Sequence, residues 1–238
     1  MTTTLKLPPR AAKRFKVKSR LGFGGMGEVF LARDEALDRE VAIKVIRPDL
    51  VDDEDFVKRF KREVVTLSRI SHPNVIHFYD IWDEEKTLFY TMEYVEGKEL
   101  DQLIAEGKLE TKKVCEIVAM VCDGLAAIHK AGVIHRDIKP ANVVVTKDGV
   151  PKLLDFSLAT FVNPVTAHKI TASGQLSGTL NYIAPEVFKG YDADEVSDVY
   201  QMGLLLYEAL CGEHPFADLP ILDIVQGIAA KKVPSFVE

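Results

Sequence analysis

The run His135-Arg136-Asp137-Ile138-Lys139-Pro140-Ala141-Asn142, followed thirteen residues after Asn142 by Asp155-Phe156-Ser157, gathers reactive side chains at tight spacing. Two carboxylates and an asparagine, flanked by apolar runs at 142–146 and 152–154, are the oxygen ligands that a hard cation takes. In such a site Asp137 can accept a hydroxyl proton while Asn142 and Asp155 hold Mg2+, and Lys139 can lie near a transferring phosphate. Any one of these residues alone reads equally well as a surface charge. Their order and spacing together argue for chemistry.

A second constellation lies upstream. Gly22-Phe23-Gly24-Gly25-Met26-Gly27-Glu28-Val29 fits G-x-G-x-x-G-x-V. A dinucleotide-binding fold requires a helix directly after the glycines, so that its N-terminus meets a pyrophosphate. Here residues 28–32 are strand-like instead, which places the glycines at the tip of a β-hairpin. Gly22 and Gly27 also have P-loop spacing, but Glu28 stands where that loop needs lysine. A glycine-rich hairpin tip can lie over phosphates and donate backbone N–H groups with no Cβ in the way. Read without other support, it is equally a turn.

Next comes 41–46, an apolar strand whose one cation is Lys44. Downstream, Phe56, Phe60, Leu67 and Ile70 form a helical stripe with Glu63 in its middle, and Asp52 to Asp55 sit where a helix dipole favours acids. A carboxylate within an apolar stripe is costly unless paired, which makes Lys44 and Glu63 natural partners. The alternative is that both snorkel to water.

The elements that must position these groups follow from periodicity. Strand-like runs at 15–21, 28–33, 41–47, 76–82 and 87–92 surround one helix, with a turn at 83–86 between the last two. Helices dominate from Leu100 onward. Residues 111–130 carry Val114, Ile117, Val118, Val121, Leu125 and Ile128 at helical spacing, with Thr111 as the expected cap and Gly132 beyond the end. Further helices are predicted at 197–211 and 220–231. Strands first and helices second predict an α+β protein of two lobes, dividing near residues 93–100. With 238 residues, 47% hydrophobic, the chain can bury a large core without staples. Three cysteines form neither a disulfide framework nor a zinc pattern, and no apolar run reaches membrane-spanning length. The N-terminus lacks the apolar stretch of a secretory signal, so a reducing, cytoplasmic setting is expected. A net charge of −6 gives no reason to expect nucleic-acid binding. Residues 1–20 nevertheless carry seven cations and no acid, and residues 1–14 are expected to form a basic, flexible tail.

Taken together, the glycine loop, Val41-Ala42-Ile43-Lys44, Glu63, His-Arg-Asp with Asn142, Asp155-Phe156 and Ala184-Pro185-Glu186 resemble the eukaryotic-type (Hanks-type) serine/threonine protein kinases, and the loop wording is most similar to bacterial members. The resemblance implies a two-lobed kinase fold: an N-lobe antiparallel sheet plus one helix at 15–95 with its hinge, and a mainly helical C-lobe at 96–238. It implies ATP and Mg2+ as cofactors and protein Ser/Thr hydroxyls as substrates. On the carried-over roles, Lys44 holds the α/β-phosphates and pairs with Glu63, Asp137 is the base assisted by Lys139, and Asn142 and Asp155 ligate Mg2+. Leu21, Gly22, Gly24, Gly25, Gly27, Val29, Ala42 and Val144 then surround the nucleotide. Met92 is the gatekeeper, and Glu93 to Val95 form the hinge. Leu67, Phe78, His135 and Phe156 match the family's stacked spine, with Asp198 as its anchor. Lys139 and Thr179 resemble Ser/Thr-specific members, and Thr171 and Ser173 are expected autophosphorylation sites in the activation segment.

Two features depart from the family. Ser157 replaces the glycine of Asp-Phe-Gly, a position where glycine permits conformations that serine resists. The sequence stops at Glu238, before the helices that in relatives supply an arginine to the glutamate at Glu186. The 197–211 helix is apolar nearly all round, so an uncovered C-lobe face and a homodimer through it are expected. Two other readings compete with an active protein kinase: a pseudokinase acting through conformation, and a small-molecule phosphotransferase. The Ala184-Pro185-Glu186 segment speaks against the latter.

Overall fold

A computed structural model describes residues 5–107, 109–155 and 181–217. The chain divides into two compact units, Met1–Ser71 with Ile76–Val95, and His72–Val75 with Glu96–Glu238. The predicted helix at 220–231 lies outside the described residues, as do Phe156, Ser157, Thr171, Ser173 and Thr179.

The first unit opens with α1 (Pro9–Arg14), then β1 (Phe15–Gly24), β2 (Gly27–Asp34) and β3 (Arg39–Ile46). After these come α2 (Pro48–Val51), α3 (Glu54–Leu67), β4 (Phe78–Glu84) and β5 (Thr87–Glu93). The sheet order is β1-β2-β3-β5-β4, with every neighbour pair antiparallel. Alternation along the strands splits their side chains between two faces. Val41, Ile43 and Phe89 join Phe15, Ala32 and Ala11 in one apolar cluster. On the other face, the Tyr90 ring meets Phe60 of α3 at 5.9 Å. Helix α3 begins where Asp53 accepts the backbone N–H groups of Asp55 and Phe56, a side-chain cap for orphan donors. It buries Phe56, Phe60, Val64 and Leu67 and ends at Leu67, so Ile70, expected on its stripe, is buried beyond the helix. The β4–β5 turn is tighter than expected: only Glu85 and Lys86 lie outside the strands, both at positive φ, as two-residue hairpins of this twist require.

The expectation of a flexible basic tail fails for residues 9–14. Ala11 is fully buried in the apolar cluster, and Leu7 packs against it. Arg14 donates through Nε and Nη2 to both carboxylate oxygens of Asp34 at 3.0 and 2.8 Å, and its Nη1 lies 3.1 Å from Asp80. Asp34 is buried, and the bond from Arg14 holds its carboxyl below the usual carboxylate range. The cationic count concealed an anchor: one of these seven charges neutralises a buried acid.

The second unit contains β6 (Gly97–Glu99), α4 (Leu100–Ala105), α5 (Thr111–Lys130), a 3-10 turn at Pro140–Asn142, β7 (Val143–Thr146) and β8 (Pro151–Leu153). Two further helices among its described residues are α6 (Pro185–Phe188) and α7 (Glu195–Cys211). All six apolar residues predicted on α5 are buried. Its N-cap is Glu110 rather than Thr111, and neither side chain caps it. Gly132, just past its end, has φ 75°, the left-handed value that glycine adopts without cost. Asn74 ties the His72–Val75 segment to this unit: its Nδ2 donates to Pro151 O, and its own carbonyl accepts from Leu153 N. Gly124 of α5 permits that approach, since a Cβ there would stand 2.9 Å from Asn74 O.

Helix α7 departs from the expected all-round burial. Met202, Leu204, Leu205, Tyr207 and Ala209 are buried, but Val196 and Val199 in its first turns are exposed. Its start is fixed by a capping box, in which Asp194 accepts from Ser197 N and Ser197 Oγ accepts from Asp194 N.

Candidate active site

In the second unit, residues 135–142 converge on one carboxylate. Lys139 Nζ lies 3.1 and 3.0 Å from the two Asp137 oxygens. Asn142 Nδ2 donates both to Asp137 Oδ2 at 2.8 Å and to the Asp137 carbonyl at 2.6 Å. Asn142 is buried, and its own carbonyl accepts from Leu154 N at 2.8 Å, which ties the stretch before Asp155 to this loop. The structure therefore joins Asp137, Lys139 and Asn142 directly. Asp155 follows at φ 47°, a left-handed conformation uncommon for a non-glycine residue.

Position in this loop depends on α7. Asp198, fully buried, accepts from the backbone N–H of His135 at 2.8 Å and of Arg136 at 2.7 Å, and from His129 Nε2 at 2.7 Å. The His135 ring is also buried: its Nε2 donates to Leu154 O, while its Nδ1 accepts from Asp137 N at 3.3 Å. Burial pulls its pKa below the usual histidine value, keeping it the neutral group this network requires. Gln201, one turn beyond Asp198, accepts from Ile138 N at 2.9 Å and donates to Arg136 O at 3.1 Å. Sequence reasoning passed over Gln201, although an amide inside an apolar helix was a visible exception.

In the first unit, Lys44 lies on β3 opposite Val29 and Tyr90 and is only 7% exposed, which rules out snorkelling for this residue. Glu63 stands on α3 three residues past Phe60, with one carboxylate oxygen buried. Ala42 and Met92 are buried and paired across β3 and β5. Glu93 ends β5 with its N–H donated to His77 O, and Val95 follows in the last stretch of this unit. Val144, buried on β7, belongs to the second unit. Leu67 and Phe78 are buried in the first unit.

The glycine hairpin forms as expected, closing with Gly24 opposite Gly27. Gly27 is required by the fold: at φ 153° a Cβ would sit 1.8 Å from Val45 O. A Cβ on Gly22, Gly24 or Gly25 would meet nothing within 4 Å. No atom among the described residues excludes side chains there, whereas phosphates approaching the backbone would. These glycines thus fit a nucleotide's phosphates. The donor set fits Mg2+ too: with Asn142 Nδ2 committed to Asp137, its amide oxygen is the atom available to a hard cation, alongside the Asp155 carboxylate.

In relatives an arginine from helices beyond this sequence pairs with the glutamate at Glu186, and among the described residues Glu186 has a different partner. Ser197 Oγ donates to it at 2.5 Å, at the N-terminal turn of α7, where the helix dipole also favours an anion. The Tyr200 hydroxyl nearby has its pKa pushed up to about 12 by burial and by the Glu186 charge.

An aspartate held by a lysine and an asparagine, with a glycine hairpin and a buried lysine elsewhere in the chain, is the arrangement expected of the protein-kinase class. Residues 15–233 match the protein kinase domain family, and the chain belongs to that family. It is 38% identical over 233 residues to the serine/threonine-protein kinase PknB of Mycobacterium leprae, covering 95% of this chain and 37% of that protein. It is also 38% identical over 208 residues to the serine/threonine-protein kinase PrkC of Bacillus subtilis, covering 87% of this chain and 32% of that protein. Among solved structures, the PknI kinase domain of Mycobacterium tuberculosis matches with a TM-score of 0.69 and 30% identity, over 87% of this chain and 78% of that one. The chain thus spans about a third of the length of these curated relatives.

Proposed function

We propose that this domain transfers the γ-phosphoryl group of ATP to Ser or Thr hydroxyls of proteins. The observation that carries the reading is the Asp137 carboxylate, gripped by Lys139 and Asn142 with its backbone fixed on both sides. Asp137 accepts the proton of the attacking hydroxyl as its oxygen bonds to the γ-phosphorus and the bond to the β–γ bridging oxygen breaks, releasing ADP. Lys139, beside the Asp137 carboxylate, would offset the charge that develops on the transferring phosphoryl group. Mg2+ held by Asn142 and Asp155 supplies neutralisation of the phosphate charge. Lys44, paired with Glu63, holds the α/β-phosphates. Gly22, Gly24, Gly25 and Gly27 are assigned to the phosphates, and Leu21, Val29, Ala42, Met92, Glu93, Val95 and Val144 to recognition of the base and sugar.

Thr171 and Ser173, not Thr179, are the hydroxyls we assign to autophosphorylation, with Arg136 as the cation that answers an added phosphate. Protein substrates and a cytoplasmic setting follow from the same reading. No helix among the described residues is long and apolar enough to cross a membrane. The test is transfer of radiolabel from Mg·ATP to a generic basic protein and to the chain itself, with the modified residues located by mass spectrometry. Label on protein Ser or Thr, including residues 171 and 173, is the expected result. Nucleotide binding with no transfer would replace this reading by a signalling pseudokinase.

A further inference from the structure

Asp137 lies between two peptide groups whose four polar atoms are all engaged. Asp137 N–H is donated to His135 Nδ1, and Asp137 C=O accepts from Asn142. The outer atoms of the same two groups, Arg136 C=O and Ile138 N–H, both go to the side-chain amide of Gln201. One amide therefore spans the catalytic candidate, donating on its N-terminal side and accepting on its C-terminal side. Gln201 is 5% exposed and Ile138 is fully buried, so water is a poor substitute for either bond.

The backbone here needs such restraint. Arg136 has φ 68°, in the left-handed region, and a non-glycine residue stays there only when its surroundings over-determine it. Asp198 fixes the N–H of Arg136, and Gln201, three residues along the same helix, fixes its C=O. With both ends of that residue held, the direction in which the chain delivers Asp137 is set by α7.

We infer that Gln201 is a positioning residue for phosphotransfer, acting on Asp137 through the two peptide groups that flank it. The inference rests on the role proposed above for Asp137. Its chemical requirement is narrow: at this reach the side chain must supply one donor and one acceptor. Methionine of similar length supplies neither of adequate strength. An ionised glutamate supplies acceptors only and turns one toward the lone pairs of Arg136 O. A protonated glutamate again supplies both.

Two variants of the chain test this, alongside the unmodified protein. For Gln201→Met the expected result is a kcat lower by about 10–100-fold with KM for ATP within about threefold, because misplacement of a catalytic group is paid in the chemical step. For Gln201→Glu, activity relative to the unmodified chain should rise as pH falls from about 9 to about 6, since burial lifts a carboxyl into that window and protonation restores the donor. In hydrogen exchange, which needs no turnover, the Ile138 amide should exchange at least about tenfold faster in Gln201→Met. An unchanged Ile138 amide, an unchanged kcat in an active protein, or a flat pH ratio for Gln201→Glu would each overturn the inference. If the unmodified chain transfers no phosphate while Ile138 loses protection in the variant, the proposed activity fails and the positioning contact stands.

Discussion

At the tip of the β1–β2 hairpin, Gly22, Gly24 and Gly25 face open space, and Leu21 and Phe23 are 45% and 59% exposed. Around Asp137 the reverse holds: backbone groups from His135 to Ile138 are bonded to α7, to the His135 ring or to Asn142. The difference matches the tasks assigned to the two regions. Covering phosphates of a ligand that arrives and leaves asks for backbone donors and steric room. Delivering a base to one oxygen asks for a carboxylate whose direction is already fixed before substrate binds. Within the hairpin itself the contrast recurs, because among the described residues a Cβ at Gly27 meets backbone while one at Gly22, Gly24 or Gly25 meets nothing.

The largest expected effect separates nucleotide holding from chemistry. Lys44→Met should reduce phosphotransfer by about a thousandfold or more and also weaken Mg·ATP binding, measured by steady-state kinetics and calorimetry. Unaltered ATP affinity in this variant would take Lys44 out of the phosphate site.

The hairpin's inner contrast is tested next. Gly27→Ala places a methyl group into Val45 O and should destabilise the first unit by upwards of about 3 kcal/mol, read as a lowered melting temperature. Gly25→Ala has room and should melt within about 0.5 kcal/mol of the parent while binding ATP more weakly. Equal melting temperatures for the two variants would contradict the distinction.

A smaller effect belongs to the anchor on the opposite face of the sheet. Arg14→Leu leaves buried Asp34 with only local donors and should cost about 3 kcal/mol at neutral pH. Because Arg14 depresses the folded-state pKa of Asp34, this stabilisation is fully present above the ordinary aspartate value of about 3.9 and is lost as pH falls through the lower folded value. The stability gap between parent and variant, measured by denaturant titration, should therefore shrink on acidification below about pH 4. A gap that stays constant to low pH would show that Arg14 contributes by packing on Phe15 and Trp82 instead.

Much of the site was legible because its chemistry restricts residue type and spacing together. His135 to Asn142, Asp155, Lys44 and the glycines could be picked out on those grounds, and the strands at 41–47 and 87–92 differ from β3 and β5 by only one or two residues at an end. Helix α1 is masked in the sequence by its cations, although Leu7, Ala11 and Phe15 recur every fourth residue and all join one cluster. Partners brought together only by folding were not legible: Arg14 with Asp34 and Asp80, Ser197 with Glu186, and Gln201 with the peptides around Asp137. The left-handed backbone at Arg136 carries no sequence signature either, since the residue there is not glycine.

On the roles proposed above, nucleotide holding falls mainly to residues of the first unit, with Val144, Asn142 and Asp155 contributing from the second, and the chemical step falls to Asp137. Asp137→Asn tests this division most directly, with Mg·ATP affinity and phosphotransfer measured on the same preparation. The expected result is affinity within about threefold of the parent and transfer reduced by about a thousandfold or more. Parent-like transfer would contradict the assigned base, and a parallel collapse of ATP affinity would contradict the division itself.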